Sequence, residues 1–131
     1  MKYFHLSECN QNNKMFRPRV PSDRMDGEDG KTKRICVSTC ISGCIRAITS
    51  GLFYLINDSV FYVHVPVDYK GRVFAPTKKE VPDVNVTREK WLLDKTRMKC
   101  IGKIRVFESS RRDPYDPYTK LIRYKWIEKY E

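Results

Sequence analysis

Much of what would announce an activity is missing from this sequence. Its 131 residues contain no G-x-G-x-x-G, no P-loop, no H-E-x-x-H pair and no nucleophile elbow, so the common nucleotide-fold and hydrolase readings fail. Histidine is scarce, with only His5 and His64. The longest apolar run, Gly51 to Ile56, falls far short of the roughly 20 apolar residues needed to cross a bilayer. Polar residues follow Ser7 directly, which argues against a secretory signal. The expectation is a cytoplasmic protein with no membrane-inserted segment.

Cysteine is present, but in a number and layout unsuited to a disulfide framework. Cys9, Cys36, Cys40, Cys44 and Cys100 make an odd set, and three of them sit close together in an apolar context. That pattern fits a reducing compartment. Structural zinc sites usually join a C-x₂₋₄-C pair to a second pair or to histidines far along the chain, and no such second pair exists. Core packing as small hydrophobes is expected instead, with no metal.

Acidic residues are also in deficit. Against 26 Lys and Arg stand 16 Asp and Glu, leaving a net charge of +10. A charge of that size attracts polyanions over a Debye length of roughly 10 Å. Nucleic acid, a nucleoprotein or a phosphate-bearing ligand is the partner class it favours, while the plainer account is that surplus cations keep the chain in solution. Hydrophobic residues at 40% and charged residues at 32% are enough for a real core, and 1–131 reads as a single domain.

Local patterns predict an α+β fold, with a mixed, largely antiparallel sheet of about six or seven strands and one main helix after the second strand. Lys2 to Ser7 reads as the first strand, and the prolines at 18 and 21 impose an extended path on Arg17 and Arg19. Ser22 to Lys33 reads as a solvated loop and Arg34 to Ser38 as a strand. Thr39 is a candidate N-cap for a helix over Cys40 to Thr49, whose Ile41, Cys44, Ile45 and Ile48 would dock on the sheet. Leu52 to Ile56, Val60 to Val67, Trp91 to Leu93, Ile101 to Phe107 and Ile122 to Trp126 read as strands, the last with one basic face. Tyr69 to Asp83 and Ser109 to Tyr118 read as irregular.

Two basic clusters are candidate phosphate contacts, because guanidinium forms bidentate, charge-assisted hydrogen bonds to anions. One is Lys14, Arg17, Arg19 and Arg24 around Phe16. The other is Arg111, Arg112, Lys120, Arg123 and Lys125 near Tyr115, Tyr118, Tyr124 and Trp126, a mixture that suits single-stranded nucleic acid by charge and stacking. Both also fit a solvated edge, and strand aromatics commonly pack in the core.

The order of Tyr3-Phe4-His5-Leu6-Ser7, a Pro/Arg segment, Arg34 to Ser38 and a helix, then Thr87-Arg88-Glu89-Lys90-Trp91-Leu92-Leu93 and Arg97 to Val106, resembles the ADP-ribosyltransferase-like fold. Its compact branches include the RNA 2′-phosphotransferases and the RES-type toxins. The resemblance implies NAD as cofactor, with His5 on the nicotinamide ribose and Arg17 or Arg19 on the pyrophosphate. It further implies Ser38 as a cofactor contact and Glu89 stabilising the oxocarbenium-like sugar. In the family's pattern a Tyr or His precedes the strand histidine, whereas Phe4 stands here, and Glu80 competes with Glu89.

The rival expectation comes from another class. A small basic protein without a secure catalytic motif also fits a phage-type inhibitor of a host nucleoprotein, such as an anti-CRISPR or other anti-defence protein. Such a protein needs charge and exposed aromatics but no constellation.

Overall fold

The computed structural model describes residues 2–22, 27–52, 58–113 and 116–130, with the backbone alone at 49–52, 108–113 and 116–122. In chain order the elements are β1 (His5–Ser7), β2 (Met15–Phe16), β3 (Ile35–Ser38), α1 (Ile41–Leu52), β4 (Ser59–Pro66), β5 (Val73–Phe74), α2 (Val84–Thr87), β6 (Glu89–Leu92), β7 (Thr96–Asp113) and β8 (Asp116–Lys129). The architecture is α+β and sheet-dominated, with its main helix after the early strands. Among the described residues, every strand pair is antiparallel.

The spacing of Ile41, Cys44, Ile45 and Ile48 makes one apolar stripe, and that stripe packs on Leu6, Phe61, Val63, Ile104 and Val106 to form the first core. The helix begins at Ile41, one residue later than expected, and Ser38 rather than Thr39 supplies a hydroxyl near its start, accepting the Cys40 N–H at 3.3 Å. Ser38 Oγ also donates to the Thr87 carbonyl at 2.6 Å. Gly43 sits against this link: a Cβ on it would overlap both Thr87 O and Ser38 Oγ, so α1 approaches α2 only because the side chain is missing there.

The larger sheet runs β1-β4-β7-β2, with β8 also on β7, and the smaller runs β3-β6-β5. Two bridges join them. Phe4 and Ser38 exchange N–H···O bonds of 2.8 and 3.0 Å, and Arg19 and Arg34 exchange bonds of 3.0 and 2.9 Å. Strand β3 is thus tied at one end to β1 and at the other to the Pro/Arg segment after β2. The hydrogen-bonded path β3–β1–β4–β7–β2–β3 closes on itself. The second core, Ile35, Val37, Leu92 and Met98 with Tyr3, Phe16 and Tyr69, packs with it.

Three local expectations are corrected. Ser109 to Tyr118 is not a loop through its length, because β7 continues to Asp113 and β8 starts at Asp116, with Arg112 opposite Lys120. Paired strands override turn-like Asp-Pro dipeptides when a neighbour supplies the ladder. Leu52 ends α1 instead of opening a strand, and 53–57 lie outside the described residues. The segment from Tyr69 to Asp83 contains the short strand β5, and α2 follows it; with β5 the described residues hold eight strands, close to the six or seven expected.

Candidate nucleic-acid interface

Alternation along β7 decides what the outer face carries. Ile104 and Val106 point into the first core, so Lys103, Arg105 and Phe107 alternate out of it. Register does the same for β8: Val106 faces Tyr124 and Ile104 faces Trp126, and both aromatics pack on that core. Arg123 therefore lies opposite Phe107, and Lys125 opposite Arg105, on the outer side. Strand β4 adds Tyr62 opposite Lys103.

The face is basic with aromatics interleaved. Lys103 meets Glu128 at 3.7 Å. Arg105, Arg123 and Lys125 make no ion pair among the described residues, and Lys125 Nζ lies 5.9 Å from the Phe107 ring centroid. Like charges directly across a ladder oppose pairing, so Arg105 and Lys125 form a strip that an anion would relieve. Where the hairpin passes α1 a groove of about 350 Å³ opens between Ser42, Ile45 and Arg46 on the helix and Phe107, Arg123, Tyr124 and Lys125 on the hairpin. The side chains of Arg111, Arg112 and Lys120 lie outside the described residues, though their backbones continue the same strands.

Glu89 occupies a different place. It is buried at the start of β6, facing Ser38 in register, and accepts a hydrogen bond from the Trp91 indole N–H. Burial raises its carboxyl above the ordinary range, the indole bond opposing and Glu28 adding to the rise. Its edge lines a groove of about 470 Å³ with Thr39, Arg88 and Lys90.

Arg34 lies on the same side of β3. Its guanidinium is wholly buried, 4.0 Å over the Trp91 ring and 2.8 Å from Glu28, with Nη1 donating to the Thr32 carbonyl at 2.9 Å. Asp29, 3.8 Å away, caps the loop by accepting the N–H groups of Lys31 and Thr32, which bring its carboxyl down to about 2.

His5 falls on the opposite face of the β3–β6 pair from Glu89. Its ring bonds the Cys36 carbonyl at 3.1 Å and lies edge-on to Phe16, 5.0 Å between centroids. Phe16 packs against the second core, whose Val37 and Leu92 alternate with Cys36 and Trp91. Burial holds the imidazole below its ordinary range, the Cys36 bond opposes, and Arg19 lowers it further. His64 is fully buried; its Nε2 accepts the Gln11 N–H at 3.0 Å and its Nδ1 has no partner among the described residues. Arg17 and Arg19 are exposed.

The structure therefore brings together Glu89 with Ser38 and His5 with Arg19, but not His5 with Glu89. Core packing holds for Cys44, whose thiol donates to the Phe4 carbonyl and is pushed up to about 12 by burial. Burial likewise pushes Cys36 up to about 12. Sequence reading did not single out Lys103, Arg105 and Phe107 on this face, or Arg34 as a buried anchor. The alternation of Lys103 and Arg105 with Ile104 and Val106 was the available signal for the first group. Compared with known protein families, curated proteins and solved structures, the chain shows no significant match.

Proposed function

We propose that the protein binds nucleic acid, bare or carried in a nucleoprotein, through the outer face of β4, β7 and β8. The observation that carries this reading is the facing pair Arg105 and Lys125 beside Arg123, without a carboxylate partner among the described residues, with Phe107 opposite Arg123 and Tyr62 opposite Lys103. Phosphates would replace the missing counter-charges, releasing condensed cations and making affinity fall steeply with salt.

The double variant Arg105→Glu/Lys125→Glu tests it against a labelled 20-nucleotide strand between 50 and 200 mM salt. Affinity should fall at least about tenfold, and the log–log salt slope should flatten by about one to two. Unchanged affinity and slope would end the reading.

A second reading rests on Glu89, a buried carboxyl edging a groove opposite Ser38, where the ADP-ribosyltransferase resemblance asks for the residue that steadies the sugar cation. His5 lies on the other face, so this reading stands on Glu89 and Ser38 alone. Its test is nicotinamide release from NAD, lost in Glu89→Gln. Because burial disfavours the ionised carboxylate and glutamine can still accept the indole N–H, that variant should fold at least as stably at neutral pH. No release from the unaltered protein removes the reading.

A further inference from the structure

We infer that His64 is an acid-operated latch: its uncharged ring fastens the turn between β1 and β2 onto the large sheet, and a proton taken up by the ring releases that turn.

The direction of one hydrogen bond fixes the charge of the ring. His64 Nε2 lies 3.0 Å from the backbone nitrogen of Gln11. A backbone N–H donates and never accepts, so Nε2 holds a lone pair and the ring proton sits on Nδ1. A second proton has only Nε2 to enter. It would set N–H against N–H in a place closed to water, since His64 has no exposed surface. Protonation of the ring and closure of the turn therefore exclude one another.

The bond holds more than Gln11. Gln11 Nε2 donates to Ser7 Oγ at 2.8 Å, and the Lys14 N–H donates to the Gln11 carbonyl at 3.1 Å. On the far side, Asn12 Oδ1 accepts the Cys100 N–H at 2.9 Å. The Asn13 N–H donates to the Met98 carbonyl at 2.7 Å, and the Met98 N–H to the Lys14 carbonyl at 2.9 Å. Residues 7 to 14 thus form a strap from β1 across β4 to β7, with His64 beneath its centre, and β2 begins where the strap ends.

The groups around His64 sharpen its response. From β1, His5 stands opposite it in register, with 6.3 Å between ring centroids. The His5 Nδ1–H donates to the Cys36 carbonyl, so a proton added at its Nε2 breaks no bond but puts a cation beside His64. Arg19, from the segment after β2, acts on His5. From β7 the register partner of His64 is Cys100, whose buried thiol bonds the Gly102 carbonyl. Tyr62 lies two residues away on β4, and Glu8 and Cys9 of the strap are exposed. Burial holds the His64 imidazole below its ordinary range and His5 lowers it further, while backbone groups of His5 and Tyr62 oppose the shift. A released turn leaves His64 with an ordinary value of about 6.5, so closure is fully favoured above that pH and weakens progressively below it.

Amide hydrogen exchange at about pH 7.5 and about pH 5 tests the latch, each rate being divided by that of an unstructured peptide at the same pH. Release coupled to one proton grows about tenfold per pH unit below the ordinary histidine value, so protection of the Gln11 and Asn13 amides should fall about ten- to thirtyfold over this interval. In His64→Gln the side-chain carbonyl can still accept the Gln11 N–H but takes up no proton, and protection of the same amides should hold within about twofold. The nitrogen resonances of the His64 ring in the unaltered protein supply a measurement that needs no variant: at neutral pH Nε2 should be bare and Nδ1 protonated. A protonated Nε2 at neutral pH, turn protection that stays level in the unaltered protein, or an equally steep fall in His64→Gln overturns the inference.

Discussion

Gly43→Ala should destabilise the protein by about 2–3 kcal/mol, although alanine is the better helix former by about 1 kcal/mol. The methyl group would overlap the Thr87 carbonyl and the Ser38 hydroxyl, two groups already bonded to each other. One of them is backbone, held by the α2 turn, and the other anchors the start of α1 through the Cys40 N–H. Neither can rotate aside. The helix must lift from α2, disturbing Ile41, Cys44 and Ile45 in the core beneath it. Urea denaturation measures the change, and Ala47→Gly on the exposed side of the same helix should cost only about 1 kcal/mol from propensity. A stabilised Gly43→Ala would mean that the contact between the helices yields freely.

Arg34→Met should cost about 2–4 kcal/mol, at or somewhat below the range for breaking a buried ion pair, because Glu28 and Asp29 retain some access to water. Methionine has similar reach and still covers Trp91, so the loss isolates the guanidinium: its stacking on the indole, its pairing with Glu28 and its bond to the Thr32 carbonyl. These contacts fasten the loop from Gly27 to Thr32 onto the small sheet. Arg34→Lys should recover only part, since an ammonium can reach one carboxylate but has no plane to lay on the indole. Thermal or urea unfolding of the three proteins gives the order, and Arg34→Met within about 0.5 kcal/mol of the parent would show that the loop is held by other means.

How much of this was legible beforehand differs between levels of structure. The stripe of Ile41, Cys44, Ile45 and Ile48 is a local pattern and predicts both the helix and its buried face. Arg34 to Ser38 and Val60 to Val67 likewise show their strands in β-branched residues, and the basic outer face of β8 follows from Arg123 and Lys125 alternating with Tyr124 and Trp126. Local pattern misleads at Asp113-Pro114 and Asp116-Pro117, where turn-forming residues border the two longest strands of the fold. It does not show α2 either, since four residues are too few to display a helical period.

The candidate site is harder still. Alternation states which residues of one strand share a face, but not which faces of separate strands meet. His5 and Glu89 each lie on a strand as expected, yet Phe4 pairing with Ser38 and Ser38 with Glu89 sets their side chains on opposite sides. Arg105 gains its place only from its partner Lys125. Such information resides in pairings between distant stretches.

The closed path of strands also dictates an order of events in folding. Its joints unite Phe4 with Ser38, His5 with His64 and Met15 with Arg97. Loop closure over such separations is entropically costly and slow, while β7 and β8, neighbours in sequence, can pair within microseconds. The hairpin is therefore the natural first structure and a template on which β4 and then β1 and β2 can register. On the ribosome, the ladders of β1 with β4 and of β2 with β7 must wait until β4 and then β7 have emerged. During that wait the edges of β1 and β2, rather than the basic surface, are what a chaperone would have to cover.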